Sequence, residues 1–190
     1  MPTPLKNRFL HISVDVDLDD WCTWAISSGI ETEIVAFCRF RPALLHDFDP
    51  KRTDNAFPTP RSWEMADRLV KVGVDAEIEY GLLSGIVGPG AATEYLAFIR
   101  IYRSLPNIDG IIASPDTAPI PSEPAALYAV CGALAKRAGE QNIVSVLRYA
   151  VRLGKEFEVL LVLDAVRRTP AISNTRAMIE WYAANSSVLV

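Results

Sequence analysis

Histidine and cysteine are scarce in this sequence, and neither is spaced for chemistry. The 190 residues include two histidines, His11 and His46, and three cysteines, Cys22, Cys38 and Cys131. The thiol count is odd, no pair has metal-ligand spacing, and each cysteine stands in apolar, helix-like surroundings. They read as reduced core thiols of a cytoplasmic protein, not as a disulfide framework or a zinc site. His46 has Asp47 and Asp49 beside it, but adjacent acids in a polar loop are ordinarily solvated and His11 is distant, so no metal site is expected. Neither histidine lies near a Gly-rich elbow, which leaves a Cys/His nucleophile only as a minor alternative. Positive charge is not in excess either: the net charge is -4 and the isoelectric point is near 5.2. A broad basic face for nucleic acid is therefore not expected. The first residues lack the apolar run of a signal peptide, and no uninterrupted apolar stretch reaches membrane-spanning length. Internal repeats and low-complexity tracts are absent too.

What is present points to a globular protein. Half of the residues are hydrophobic and 22% are charged, which is too apolar for disorder. Phe9 to Asp17 alternates, placing Leu10, Ile12, Val14 and Val16 on one face with the period of a half-buried strand. It is the only convincing strand in the first two-thirds of the chain. A lone strand is not stable, so it either docks on helices as an irregular arm or belongs to a sheet completed elsewhere. After it the pattern is helical. Asp17 or Asp19 caps a helix through Trp21, Trp24, Ala25 and Ile26 that ends at Gly29. Further helices are expected over 31–45, from Arg61 with Trp63, Met65, Ala66, Leu69 and Val70 inward, and over 76–86. A break at 85–90 precedes another helix over 91–105. A proline-rich segment, 106–124, holds one short turn at Ile108 to Ala113. Helices over 125–138, 142–153, 155–168 and 175–184 follow, roughly eight in all, and their short final loops favour antiparallel neighbours. Trp21, Trp24, Phe37, Phe40, Trp63, Tyr95, Phe98 and Tyr102 fall at helical spacings and are expected in the core. The expected fold is mainly α, a multi-helix bundle with one N-terminal strand.

Charge placement singles out Arg61. Pro58 and Pro60 hold the backbone extended before a helix, which puts Arg61 in the first turn, at the positive end of the dipole. Acids are preferred there. An incoming anion relieves the mismatch; the alternative is an arginine that faces water. Arg39, Arg41, Lys51 and Arg52 form a small basic group, either a solvated surface or an anion or subunit contact. Asp15, Asp17, Asp19 and Asp20 are accounted for by capping and a solvated face.

Several clusters carry a resemblance. Pro2-Thr3-Pro4-Leu5-Lys6-Asn7-Arg8-Phe9 is followed by Asp19-Asp20-Trp21, then Phe37-Cys38-Arg39-Phe40-Arg41-Pro42, then Phe57-Pro58-Thr59-Pro60-Arg61-Ser62-Trp63-Glu64. Together these resemble the C-terminal part of MoxR-like AAA+ ATPases, most nearly a bacterial and phage-borne subgroup. The likeness extends through Tyr95-Leu96-Ala97-Phe98, Asp116-Thr117-Ala118-Pro119 and Leu160-Leu161-Val162 over nearly the whole chain. It implies that 1–17 is the last strand segment of an α/β ATPase core, 18–75 a lid-like helical region and 76–190 a helical extension. It also implies that Arg8 is similar to the arginine finger and Arg61 to the sensor-2 arginine that meets the nucleotide's phosphates. Both roles suit a permanently charged, planar guanidinium, and a finger is worth roughly 10³ to 10⁵ in rate. The intact protein would bind ATP and Mg²⁺, assemble as a homo-oligomeric ring, and remodel or mature partners, often ones with a von Willebrand A-type domain.

The parts that would hold ATP are missing. There is no G-x-x-x-x-G-K-[ST] phosphate loop and no strand ending in paired acids. Gly85 to Gly90 is followed by Ala91-Ala92-Thr93-Glu94 without a lysine, and reads as a tight helix–helix turn. The chain alone is expected to bind no cofactor and hydrolyse no nucleotide, as a truncation, a fragment or a product begun at an internal methionine. The strand is then expected as an open edge or paired with a second copy, with apolar surface uncovered near Trp21 and Trp24. Two alternatives stand beside this: a free-standing helical interaction module docking through 106–124, and a small enzyme whose site the sequence does not disclose.

Overall fold

A computed structural model describes residues 8–186. Among them the chain forms ten α-helices: α1 (Leu18–Ser27), α2 (Thr32–Phe40), α3 (Pro60–Val72), α4 (Ala76–Val87), α5 (Pro89–Arg103), α6 (Ile108–Ala113), α7 (Pro124–Arg137), α8 (Ile143–Ala150), α9 (Lys155–Arg168) and α10 (Arg176–Asn185). Single 3₁₀ turns follow α2, α8 and α9. The helical bundle expected from the periodicity is the fold, with more and shorter helices than the sequence pattern resolves.

The expected strand does not form. Residues 10–17 join no ladder among the described residues, and Leu10, Ile12 and Val14 are 86%, 74% and 87% exposed. The physical reason is the lack of a neighbour: a strand's backbone groups need a second strand, and helices have already paired theirs internally. Val14 to Val16 instead lie along Leu18, Pro42, Leu45 and His46, an irregular arm over a cleft of about 480 Å³. The Asp17 carboxylate caps α1 by accepting from the Asp20 backbone N–H at 2.8 Å.

Helix α7 is the hub, packing on α2, α5, α6 and α9. Its composition explains this. Small residues (Ala125, Ala129, Gly132, Ala133, Ala135) are buried along it and let neighbouring backbones approach. At Gly132 a β-carbon would sit 2.9 Å from Thr32 Cγ2 of α2. On one side of α7 a core from α1 to α5 gathers Phe37, with ring centroids of Trp63, Tyr95 and Phe98 at 5.2, 5.3 and 5.7 Å. On the other side Leu134, Val146, Tyr149, Leu161, Ile172 and Met178 form a second core from α6 to α10.

The break expected over 85–90 shrinks to one residue. Helix α4 runs to Val87 and α5 starts at Pro89, so Gly88 alone turns the chain, with φ +84°. A β-carbon there would lie 2.6 Å from the Ala56 carbonyl oxygen. Gly88→Ala is therefore expected to lose about 2–4 kcal/mol, from left-handed strain plus a backbone clash. A urea titration read by circular dichroism measures it, and a midpoint equal to the parent's would contradict it.

The proline-rich segment after α6 is pinned to α8 and the 3₁₀ turn that follows it. Arg148 pairs with Asp116, Arg152 donates to the Pro115 carbonyl, and the Tyr149 hydroxyl donates to the Pro119 carbonyl at 2.8 Å. Two aromatic or apolar residues expected in the core are not there: Met65 is 48% and Trp24 43% exposed, whereas Trp21 is buried. The helix of Met65, α3, buries a polar residue instead, Asp67. Its carboxylate accepts from the Glu31 backbone N–H at 2.7 Å and from Lys71 at 2.6 Å, so it caps α2 from a neighbouring helix. No helix among the described residues is long and apolar enough to cross a membrane.

Candidate functional site

The entry to α3 is built by reciprocal capping. The Thr59 hydroxyl accepts from the Ser62 N–H at 3.0 Å, and the Ser62 hydroxyl accepts from the Thr59 N–H at 2.7 Å. Pro60 occupies the first helical position, where a missing N–H costs nothing. Behind this entry the buried Trp63 donates its indole N–H to the Leu44 carbonyl at 2.7 Å. The first turn is thereby fixed on the body of the bundle. Arg61 stands on it exposed, with no ion pair or hydrogen bond to its guanidinium or its backbone N–H among the described residues. It lines a cleft of about 210 Å³ together with Phe57, Thr59, Ser62, Met65 and Ile86. That is room for one small anion. The position expected for this residue, in the first turn at the positive end of a helix, is the one it occupies.

Arg8 is exposed at the start of the described residues and is not among those lining the Arg61 cleft. Both guanidiniums are exposed, and the resemblance assigns them to different nucleotides, Arg8 to that of a neighbouring subunit and Arg61 to that of its own.

The basic group 39–52 divides. Arg41 pairs with Glu94 at 2.7 Å and lies over the Phe40 ring, and Arg52 pairs with Asp47 at 2.7 Å. This last contact uses one of the acids considered for a metal, and the described residues hold no cluster of histidine, cysteine and acids that could bind one. Arg39 goes inward. Its side chain is 6% exposed and forks onto Asp164 of α9, one arm at 2.8 Å. Burial opposes its charge, but the hydrogen bonds and charge of Asp164 outweigh that and raise its pKa further. Asp164 also accepts from Arg167 at 3.3 Å.

The cysteines are all free and buried. Burial pushes the Cys22 thiol up to about 11 despite Arg39 nearby, pushes Cys131 up to about 12, and raises Cys38 well above its ordinary value. Protonated thiols of this kind are poor nucleophiles and poor ligands. The Cys/His alternative therefore finds no support in the geometry.

Sequence reasoning missed Asp67, Asp164 and a charged cleft between α4 and α5. Asp164 carried a legible sign, a lone acid directly after Leu160-Leu161-Val162-Leu163. Arg39 carried the matching one, a lone cation directly after Val35-Ala36-Phe37-Cys38. No protein-family model, curated protein or solved structure matches the chain.

Proposed function

We propose that this chain is the closing segment of a MoxR-type AAA+ ATPase core followed by its lid and helical extension, part of a ring that uses ATP and Mg²⁺ to remodel or mature partner proteins. The observation that carries it is Arg61. It is held on a rigid first turn at the positive end of α3, unpaired among the described residues and open to a phosphate-sized cleft. An anion arriving there meets the guanidinium, a free backbone N–H and the helix dipole together. A second support is the arm 10–16, whose exposed, alternating apolar side chains have the form of a strand awaiting its sheet. In this arrangement Arg61 meets the nucleotide within its own subunit, while Arg8 reaches the nucleotide of the next. A von Willebrand A-type domain is the class of partner that the resemblance implies.

The experiment is a nucleotide titration of the chain as it stands, with a fluorescent ATP analogue and Mg²⁺. Contacts from one arginine and one N–H are expected to give only millimolar binding and no hydrolysis. Extension of the chain through an in-frame segment carrying a phosphate loop is expected to bring both. Micromolar binding or turnover by the chain alone overturns the proposal, and so does a coding sequence with no such segment upstream.

A further inference from the structure

Helices α4 and α5 enclose another cleft, of about 380 Å³, which shares no lining residue with the Arg61 cleft. That volume lies within the roughly 300–1,000 Å³ usual for small-ligand sites. Its charges are unbalanced. Arg100 and Arg103, one turn apart on α5, face it across from Glu79 of α4. Arg103 approaches Glu79 only to 3.9 Å, beyond a hydrogen bond, and Arg100 has no partner among the described residues. Leu96 and Ile99 supply an apolar floor between them, and Tyr80, 45% exposed, stands on the wall.

Each feature restricts the occupant. Arg103 is shared by Glu79 and by Glu33 of α2, which also has Lys136 near it, so Arg100 is the cation left without a counter-charge, and that calls for an anion. Glu79, with only 17% of its side chain exposed, repels a second negative group, which limits the ligand to a single anionic head. Leu96, Ile99 and a phenol ring favour a flat apolar body, because an aromatic ring packs on all of them at once. We propose that this cleft binds a small aromatic molecule carrying one anionic head, held by Arg100 and Arg103 with its ring against Tyr80 and Leu96. The inference does not rest on the ATPase proposal, since it uses none of the same residues.

Two probes share the body and differ in the head: phenyl phosphate and 3-phenylpropionate. Each is titrated into the full chain by calorimetry and by ¹⁵N-resolved chemical shifts. Saturable binding of either is expected, with shifts centred on Glu79, Tyr80 and Arg100, and the better probe identifies the head. Arg100→Ala removes an exposed side chain, so its fold is retained, and it is expected to weaken binding about tenfold or more. Arg176→Ala, which removes an exposed cation on α10 that lines neither cleft, is expected to leave binding unchanged, which separates this cleft from unspecific charge attraction. The proposal is overturned if neither probe saturates at about 10 mM, if Arg100→Ala binds as the parent does, or if inorganic phosphate binds as tightly as phenyl phosphate.

Discussion

Asp164→Ala is expected to destabilise the chain by about 3–5 kcal/mol, the usual cost of stranding one member of a buried ion pair. Arg39 would be left charged with 6% of its side chain exposed. The neighbouring Cys22 and Cys131 thiols offer no replacement, because burial raises their pKa and keeps them protonated. For a chain of this length that corresponds to a fall in Tm of roughly 6–20 °C. The converse change is milder. Arg39→Met leaves Asp164 with Arg167 at 3.3 Å, a partner that reaches water, so about half the loss is expected. Combining Arg39→Met with Asp164→Leu is expected to restore stability near the parent, since an apolar pair of similar volume avoids the desolvation that the ions incur. Chemical denaturation of the three variants decides it. Equal losses for the two single changes, or a double variant worse than either, would show that the pair is not acting as a buried couple. The pair joins α2 to α9, 125 residues apart, and so ties together the cores on the two sides of α7.

How much of this was legible follows from what each feature depends on. Helix α9 was read to its end residues, 155–168, which Gly154 and Thr169 bracket in the structure; the α3 start was read because Pro58 and Pro60 hold the backbone extended before it. These are short-range signals, and short-range physics set the outcome. Met65 failed because periodicity assigns a face and not a neighbour. At that angle α3 meets solvent, and Asp67 turns in to cap α2, a demand created by a different helix. The Arg39–Asp164 pair failed for the same reason. Each charge could be seen as an exception beside its own apolar run, but only the packing of α2 and α9 brings the two together. The arm 9–16 was legible as a pattern and illegible as a structure. Alternation encodes what a strand would bury, and whether it is a strand is decided by what lies alongside. The Arg61 cleft was half legible: its position on the helix was a local matter, and its wall at Ile86 came from α4.

Under the proposed ATPase function, in a chain extended by a core that holds ATP, Arg8→Ala is expected to lower turnover by about 10³-fold or more with ATP affinity nearly unchanged. The asymmetry follows from where charge develops. Bound ATP is already held by the contacts of its own subunit, and a guanidinium from the next subunit interacts most strongly when negative charge spreads over the transferring oxygens. A residue that acts only then alters the rate and not the binding. Arg8 suits such a part because it is exposed at the end of the arm farthest along the chain from α1, and no acid among the described residues pairs with it. Arg8→Lys is expected to restore little, since one ammonium cannot reproduce two parallel donors from a planar fork. Arg61→Ala should behave differently, weakening ATP binding as well as slowing turnover, because its position on α3 is fixed before the reaction begins. The measurement is a paired one, steady-state phosphate release and equilibrium ATP affinity on each variant. Mixing Arg8→Ala subunits with parent subunits adds a further discrimination: a residue acting across an interface lowers the activity of its neighbour's site, so activity should fall with the fraction of variant in a way that intrasubunit action cannot produce. Loss of ATP binding in Arg8→Ala, or full turnover without it, removes Arg8 from the reaction and leaves Arg61 to carry the phosphate contact from this chain.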